Sequence, residues 1–454
     1  MSTRLHSVSV AVLSWNGREH LSACLAALDR QVDPRVDWEV SILDNGSSDG
    51  TAEWLAREYP ESRRLGACGR GRLRWRKAAR NLGFCAGNNR LIEECDSDAV
   101  VLLNNDTRPE AEWLAELVEA LGSAPGDVAS VSGTMVDWEA ERLDFAGGAM
   151  TFDGHAFQID FRRPLSHARL PAEGSELLFA CGGNMIVRRR SFLEAGGFDE
   201  SFFAYLEDVD LGWRLWAGGE RVVLSRAAIV RHRSMASSDL LGMFNRGILF
   251  ERNAFVTAAS NYDEELWPMM MPAVLLTLQS RVHRLLTGSN PGGEWLVYDP
   301  YATPRSGQEG AGDAPLAAPP NPTLLEKWRG WGTRELFSRG VRKLRRRVAE
   351  ALHPQATAAF SRETVDVRDP RTLAHLRAVS KILRDLDSVA VRRARLLGRR
   401  ARRDREIFER FPLLVVPTYP GDEELFAGSG FRSWLPAGVP LAERRLDEIM
   451  ELGE

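Results

Sequence analysis

The sequence predicts an α/β protein: a doubly wound sheet in the first half and a mostly helical second half. Three observations carry this. Apolar runs at 8–13, 40–43 and 99–103 each end abruptly in polar residues. Apolar residues at helical spacing lie between those runs, and an Arg-rich, helix-patterned segment follows a stretch rich in Pro, Gly and Ala.

The run 8–13 is β-branched and leads through a turn at Asn16 and Gly17 into Leu21, Cys24, Leu25 and Leu28 on one helical face. The second run ends in Asp44, Asn45, Gly46, Ser47, Ser48, Asp49 and Gly50, and the next helix carries Trp54 and Leu55 on its apolar side. The third ends in Asn104, Asn105 and Asp106. In doubly wound sheets ligands sit beyond the carboxyl ends of the strands, where these polar residues fall. From 128 to 233 the pattern is mixed and richer in glycine and aromatics; 236–290 reads as helical. The expected organisation is a catalytic domain at 1–235, a helical extension at 236–299, a linker at 300–322 and a basic, mostly helical module at 323–454.

A chain of 454 residues with 44% hydrophobic and 27% charged content suits a globular protein of two or three domains. Its net charge of -4 hides an asymmetry: 321–412 holds 24 Lys+Arg against 11 Asp+Glu. One reading docks that basic module on anionic lipids, as a peripheral membrane association. The other packs it on the catalytic domain or on a second subunit. Nucleic acid is not the expected partner, because no aromatic residues interleave with the arginines. Five widely spaced cysteines without a CxxC pair fit a reducing compartment. The N-terminus lacks a signal-peptide layout, so the expected location is cytoplasmic, with peripheral contact at the inner membrane face. The apolar segment 266–278 is too short to span a bilayer and contains Pro268 and Pro272.

Four clusters carry chemistry. Ser14, Trp15 and Asn16 pair with Asp44 and its turn, where a buried carboxylate can accept from a base N–H; the plainer reading is a turn made of turn residues. Arg80 and Asn81 precede Gly83 and Gly87, a loop whose backbone can approach phosphate. Asn104, Asn105 and Asp106 offer one carboxylate to Mg2+ or Mn2+, or a cap for a helix starting near Pro109. Glu207, Asp208 and Asp210 put three carboxylates in four positions behind an aromatic run, which suits a general base. His232 lies downstream as a candidate metal ligand.

Read together, the segments VSVAVLSWNG, VSILDNGSSDGT, ARNLGFCAGNN, VVLLNND and CGGNMIVRRRSFLEAGGFDESFFAYLEDVDLGWRL resemble the family 2 glycosyltransferases of GT-A fold, especially the bacterial rhamnosyltransferase-like members. The resemblance covers about 7–233. It implies a Rossmann-like mixed sheet and inverting transfer from a nucleotide sugar, with a dTDP-rhamnose or UDP-sugar donor, to a glycan or lipid-linked acceptor in cell-envelope polysaccharide synthesis. It further implies that Ser14, Trp15 and Asp44 contact the nucleoside, that Arg80 and Asn81 lie near the diphosphate, and that Asn104, Asn105 and Asp106 form the DxD-type element. Asp106 would hold Mn2+ or Mg2+ with His232. Asp208 would be the catalytic base, with Glu207 and Asp210 positioning it and the acceptor. The first DxD position is Asn104 rather than Asp, which weakens the expected metal site. Two rivals remain: a non-catalytic nucleotide-sugar-binding scaffold, and a sugar nucleotidyltransferase, which would need a glycine-rich basic signature directly after the first strand.

Overall fold

The structure is a computed structural model that describes residues 4–233, 242–287, 370–419 and 421–451. The linker expected at 300–322, the basic run 342–347 and the rest of 288–369 lie outside the described residues.

The predicted strands form the centre of a nine-stranded mixed sheet. Its parallel half is β3 (Arg72–Lys77), β2 (Asp37–Asp44), β1 (Ser7–Ser14) and β4 (Ala99–Asn104), in that spatial order. Runs rich in Val, Ile and Leu, broken only by the buried Ser9 and Ser41, form such strands because both faces of the sheet are covered; Val10, Val12, Val40, Ile42, Val100 and Val101 have no exposed surface. Beyond β4 the order continues through β10 (Asn184–Arg188), which is antiparallel to both neighbours, to β6 (Val128–Asp137) and β11 (Arg221–His232). The short β5 (Thr107–Pro109) edges the sheet on β11, and β7 (Leu143–Phe145) pairs off β6. β8 (Gly148–Met150) and β9 (Ala156–Gln158) make a separate ribbon.

Helices α1 (Arg18–Leu28), α2 (Thr51–Glu58), α3 (Phe84–Glu93), α4 (Trp113–Ser123), α5 (Arg189–Ala195) and α6 (Glu207–Ala217) accompany the strands. The stretch after Asp106 differs from expectation. Thr107–Pro109 is an edge strand rather than a helix start, a place where a proline without an N–H is tolerated. The helix begins at Trp113, whose ring is fully buried and whose Nε1 donates to Asn184 Oδ1 at 2.8 Å. Truncating such a ring costs about 3–5 kcal/mol.

The helical prediction for 236–290 resolves into α7 (Gly242–Asn261) and α8 (Trp267–Thr287). Leu266, Met270, Met271, Ala273 and Val274 pack into the main core, whereas Trp267, Met269 and Leu275 on the same apolar segment are exposed. Among the described residues no helix is long and apolar enough to cross a membrane. The chain then resumes with α9 (Pro370–Leu397) and α10 (Asp404–Arg410).

The described residues up to Leu286 and from Pro370 onward cluster in one compact unit. The described part of the basic segment is thus built onto the sheet domain. Its arginines turn inward: Arg399 Nη1 donates to Glu194 O at 2.8 Å, Arg400 Nη1 to Asn261 O at 2.6 Å and Arg402 Nη1 to Trp216 O at 2.9 Å. Arg392, Arg400 and Arg402 are thus held against the sheet domain, as the packing reading expects, and the expected boundary at 323 lies outside the described residues.

Candidate active site

Polar residues gather at the carboxyl ends of β1, β2 and β4. Parallel pairing sets Ser14 beside Asp44. Asp44 has no exposed surface. Its Oδ1 accepts from the Ser47 N–H at 3.0 Å, whereas Oδ2 has no hydrogen-bond partner among the described residues. A buried acceptor left without a donor costs about 1–3 kcal/mol, which makes this oxygen a candidate acceptor for a ligand's donor. Ser14 Oγ accepts from Asn105 Nδ2 at 3.0 Å, and Trp15 beside it is half-buried. Asn45 joins the neighbouring loop, its Nδ2 donating to Asn81 Oδ1 at 2.9 Å and its Oδ1 accepting from the Leu82 N–H at 2.9 Å. Arg80 is exposed at this edge. One expectation fails here. The first N–H groups of α3 are not free for phosphate: Phe84 and Cys85 both donate to Phe203 O, at 2.6 and 3.1 Å. Gly83 makes that approach possible, since at φ +86° a Cβ there would fall 2.6 Å from the Phe203 ring.

Asp106 and His232, far apart in sequence, meet across the edge of the sheet. His232 Nε2 lies 3.3 Å from Asp106 Oδ1, and Nδ1 lies 2.7 Å from Asp144 Oδ2. Burial disfavours charge on the imidazole, but the two carboxylates outweigh it and raise the His232 pKa to about 10. Burial likewise pushes Asp106 upward, and the His232 charge overcomes it to leave the carboxyl below its ordinary value. Among the described residues no group of three or more His, Cys, Asp or Glu is arranged to hold a metal ion; charged between two carboxylates, His232 is an ion-pair partner here and would have to give up a proton to become a metal ligand. Sequence reasoning missed Asp144: it sits on the three-residue β7, inside no motif, and only the pairing of β6 with β7 brings it in. Asn104 faces the acid cluster; a Cβ on Gly183 would fall 2.6 Å from its Nδ2.

The third group opens α6. Asp208 Oδ2 accepts from the Gly182 N–H at 3.0 Å and Oδ1 from the Val209 N–H at 2.9 Å. Glu207 is buried, and its Oε2 has no hydrogen-bond partner among the described residues. Burial, reinforced by the Asp208 charge, pushes the Glu207 carboxyl well above the usual range; burial also raises Asp208. Both carboxyls are thus shifted toward the protonated form, Glu207 the more because the Asp208 charge adds to its burial. Asp210 behaves oppositely and corrects an expectation. It pairs with Arg214 at 2.8 Å and Arg392 at 2.6 Å and accepts from Asn261 Nδ2 at 2.7 Å. Against the effect of burial, the guanidinium charges bring its pKa down to about 2. With no exposed surface, Asp210 contacts no acceptor; it fixes the first turn of α6. The chain leading into Glu207 is strained, with Phe203, Tyr205 and Leu206 at φ 64°, 73° and 65°. Non-glycine residues held there cost about 1–3 kcal/mol each and collect at functional sites.

Comparison with known proteins matches this region of the chain. The family model described as Glycosyl transferase family 2 matches residues 9–196. The N-acetylglucosaminyl-diphospho-decaprenol L-rhamnosyltransferase of Mycobacterium tuberculosis is 27% identical over 253 residues, covering 50% of this chain and 76% of that protein. Glycosyltransferase AglE of Haloferax volcanii is 30% identical over 146 residues, 32% of this chain and 42% of its own. Among solved structures, a mannosyltransferase from Pyrobaculum calidifontis in complex with GDP-Man and Mn2+ aligns over 85% of this chain and 88% of its own, with 15% identity and a TM-score of 0.41.

Proposed function

Residues 9–196 are a family 2 glycosyltransferase domain, and from that premise we propose that the chain moves a sugar from a nucleoside-diphosphate donor to an acceptor hydroxyl, inverting the anomeric centre, with Asp208 as general base. The observation that carries this is the Glu207–Asp208 pair: a buried and a half-buried carboxyl at a helix start, both with raised pKa values, and Glu207 with an oxygen that no donor among the described residues meets. Raised carboxyl groups in a buried site are the signature of acid–base work.

Each residue has a task in this reading. Asp44 Oδ2 accepts the N3–H that uracil and thymine share, so uridine and deoxythymidine donors both fit. Arg80 and Asn81 receive the diphosphate. Asp208, oriented by the Gly182 and Val209 N–H groups, takes the acceptor proton as that oxygen attacks from the face opposite the leaving group. Protonated Glu207 donates a hydrogen bond that aligns the acceptor. Asp106 and the Nε2 of His232, backed by Asp144, would hold Mn2+ or Mg2+, leaving the remaining positions to water and diphosphate oxygens. A cation there offsets charge developing on the leaving diphosphate. The mycobacterial relative makes dTDP-rhamnose the first donor to try, and its diphospho-decaprenol acceptor a lipid-linked acceptor the first partner.

The test is nucleoside diphosphate release by the purified full chain across a panel of nucleotide sugars with Mn2+, Mg2+ or EDTA, alongside Asp208→Asn. Release that favours one donor, needs a divalent cation and vanishes in the variant establishes the reading. Nucleotide binding without turnover for any donor and acceptor tried would favour the scaffold reading, which the replacement at Asn104 invites.

A further inference from the structure

We propose that Asn253, a residue of α7 beyond the family-matched region, is a positioning residue for the acid pair: its amide holds the strained segment 202–206 in the conformation that presents Glu207 and Asp208. The inference rests on the reading of Asp208 as base.

Asn253 has no exposed surface. Its Nδ2 lies 3.1 Å from Phe202 O, 2.9 Å from Ala204 O and 2.9 Å from Tyr205 O. One side chain thus meets three of the four carbonyls of 202–205. The fourth, on Phe203, is taken by the start of α3. The amide has only one productive orientation, because Arg252 Nη1 donates to Asn253 Oδ1 at 2.9 Å and keeps the nitrogen toward the loop. Arg252 is fixed in turn by Asp385 on α9 at 3.0 Å and by Ser201 Oγ at 3.2 Å. A second clamp from α9 closes the other side: Arg392 pairs with Asp199 at 2.8 Å and with Asp210 at 2.6 Å, one ahead of the strained segment and one just past the acid pair.

A backbone with φ near +65° at Phe203 and Leu206 persists only when its surroundings over-determine it. Here the surroundings are Asn253 and the two arginines. Because Leu206 directly precedes Glu207, relaxation of the segment would swing the acid pair away from Gly182, whose N–H orients Asp208. Among the described residues the nucleoside end at Asp44, built on β1 and β2, has no contact with α7; the strained segment reaches the donor side only through Phe203, at the start of α3, so nucleoside binding and proton transfer are expected to separate.

The experiment compares Asn253→Ala and Asn253→Ser with the native full chain and with Asp208→Asn, using the donor that the nucleotide-sugar panel identifies. It measures kcat, donor KM, Kd for UDP and dTDP, and thermal unfolding. The expected result is a kcat loss of about 10-fold or more in Asn253→Ala. Donor KM and nucleotide Kd should stay within about two-fold, and Asn253→Ser, which keeps one donor, should fall between. If Asn253→Ala does not fold, Asn253→Ser alone decides by the same split. Native kcat in the Asn253 variants beside a dead Asp208→Asn overturns the positioning role and leaves the base assignment standing. A parallel fall of kcat and nucleotide affinity makes Asn253 a general structural residue and also overturns it. Full activity in Asp208→Asn would remove the base assignment, and the inference with it.

Discussion

The acidic cluster at Asp106 and the one at Glu207–Asp208 are built from similar residues and held in opposite electrostatic states. Asp106 lies 3.3 Å from an imidazole charged by two carboxylates, and its pKa is lowered. Among the described residues no cationic side chain pairs with Glu207 or Asp208, Asp208 is met by backbone N–H groups, and both pKa values are raised. Two residues on, Asp210 is pulled down to about 2 by Arg214 and Arg392. The lesson is that carboxylates in four consecutive positions take different roles according to which helix face meets an arginine. One cluster holds its carboxylates ionised against a charged imidazole; the other favours the protonated form of its carboxyls.

The sharpest way to break this contrast is to remove the charge at Asp208. Asp208→Asn should lower transfer by about 10²–10⁴-fold, the usual worth of a positioned general base, while nucleotide affinity stays at the native value. Titration calorimetry with UDP and dTDP beside the rate assay checks both halves; a variant that loses binding as well would point to a structural role. Asp210→Asn should act on stability instead. It leaves the buried guanidiniums of Arg214 and Arg392 short of their carboxylate, a loss of about 3–5 kcal/mol by urea unfolding. A change under about 1 kcal/mol would mean that solvent reaches this pair after all.

How far the sequence reached follows the same division. The strands at β1, β2 and β4 were legible because each is a continuous apolar run ending in polar residues, and Asp44, Asn105 and Asp106 sit at their tips for that local reason. The acid pair was legible as a cluster, but its electrostatics were not. Arg392 lies 182 residues from Asp210 and Asn253 lies 48 from Tyr205, and no local pattern marks such partners. Asp144 escaped for a related reason: a three-residue strand has no periodicity to read. The phosphate role given to the backbone of the loop at Gly83 failed because a carbonyl from the acid loop reaches those N–H groups first.

Asp144 also offers the next test. If it orients His232, Asp144→Asn should weaken activation by Mn2+ about 10- to 100-fold while leaving nucleotide binding without metal unchanged. Equal half-activation concentrations in variant and native chain would reduce Asp144 to a structural partner.

The smallest expected effect is the most diagnostic of how the proton is shared. A base must be ionised to act, and burial raises the Asp208 pKa, so the acid limb of kcat/KM should lie above the ordinary carboxylate range, with activity rising through that limb as pH increases. Burial and the Asp208 charge both push the Glu207 carboxyl upward, and in the proposed reading it acts protonated, so Glu207→Gln replaces one neutral hydrogen-bond donor by another. Activity should then fall by about 10-fold at most, and the acid limb should stay close to its native position, because burial rather than Glu207 is what raises Asp208. A pH series of kcat/KM for the native chain and Glu207→Gln decides it. A limb that drops into the ordinary carboxylate range in the variant would show that Glu207 is charged and sets the Asp208 pKa by repulsion, making the pair two bases in competition rather than one donor and one acceptor.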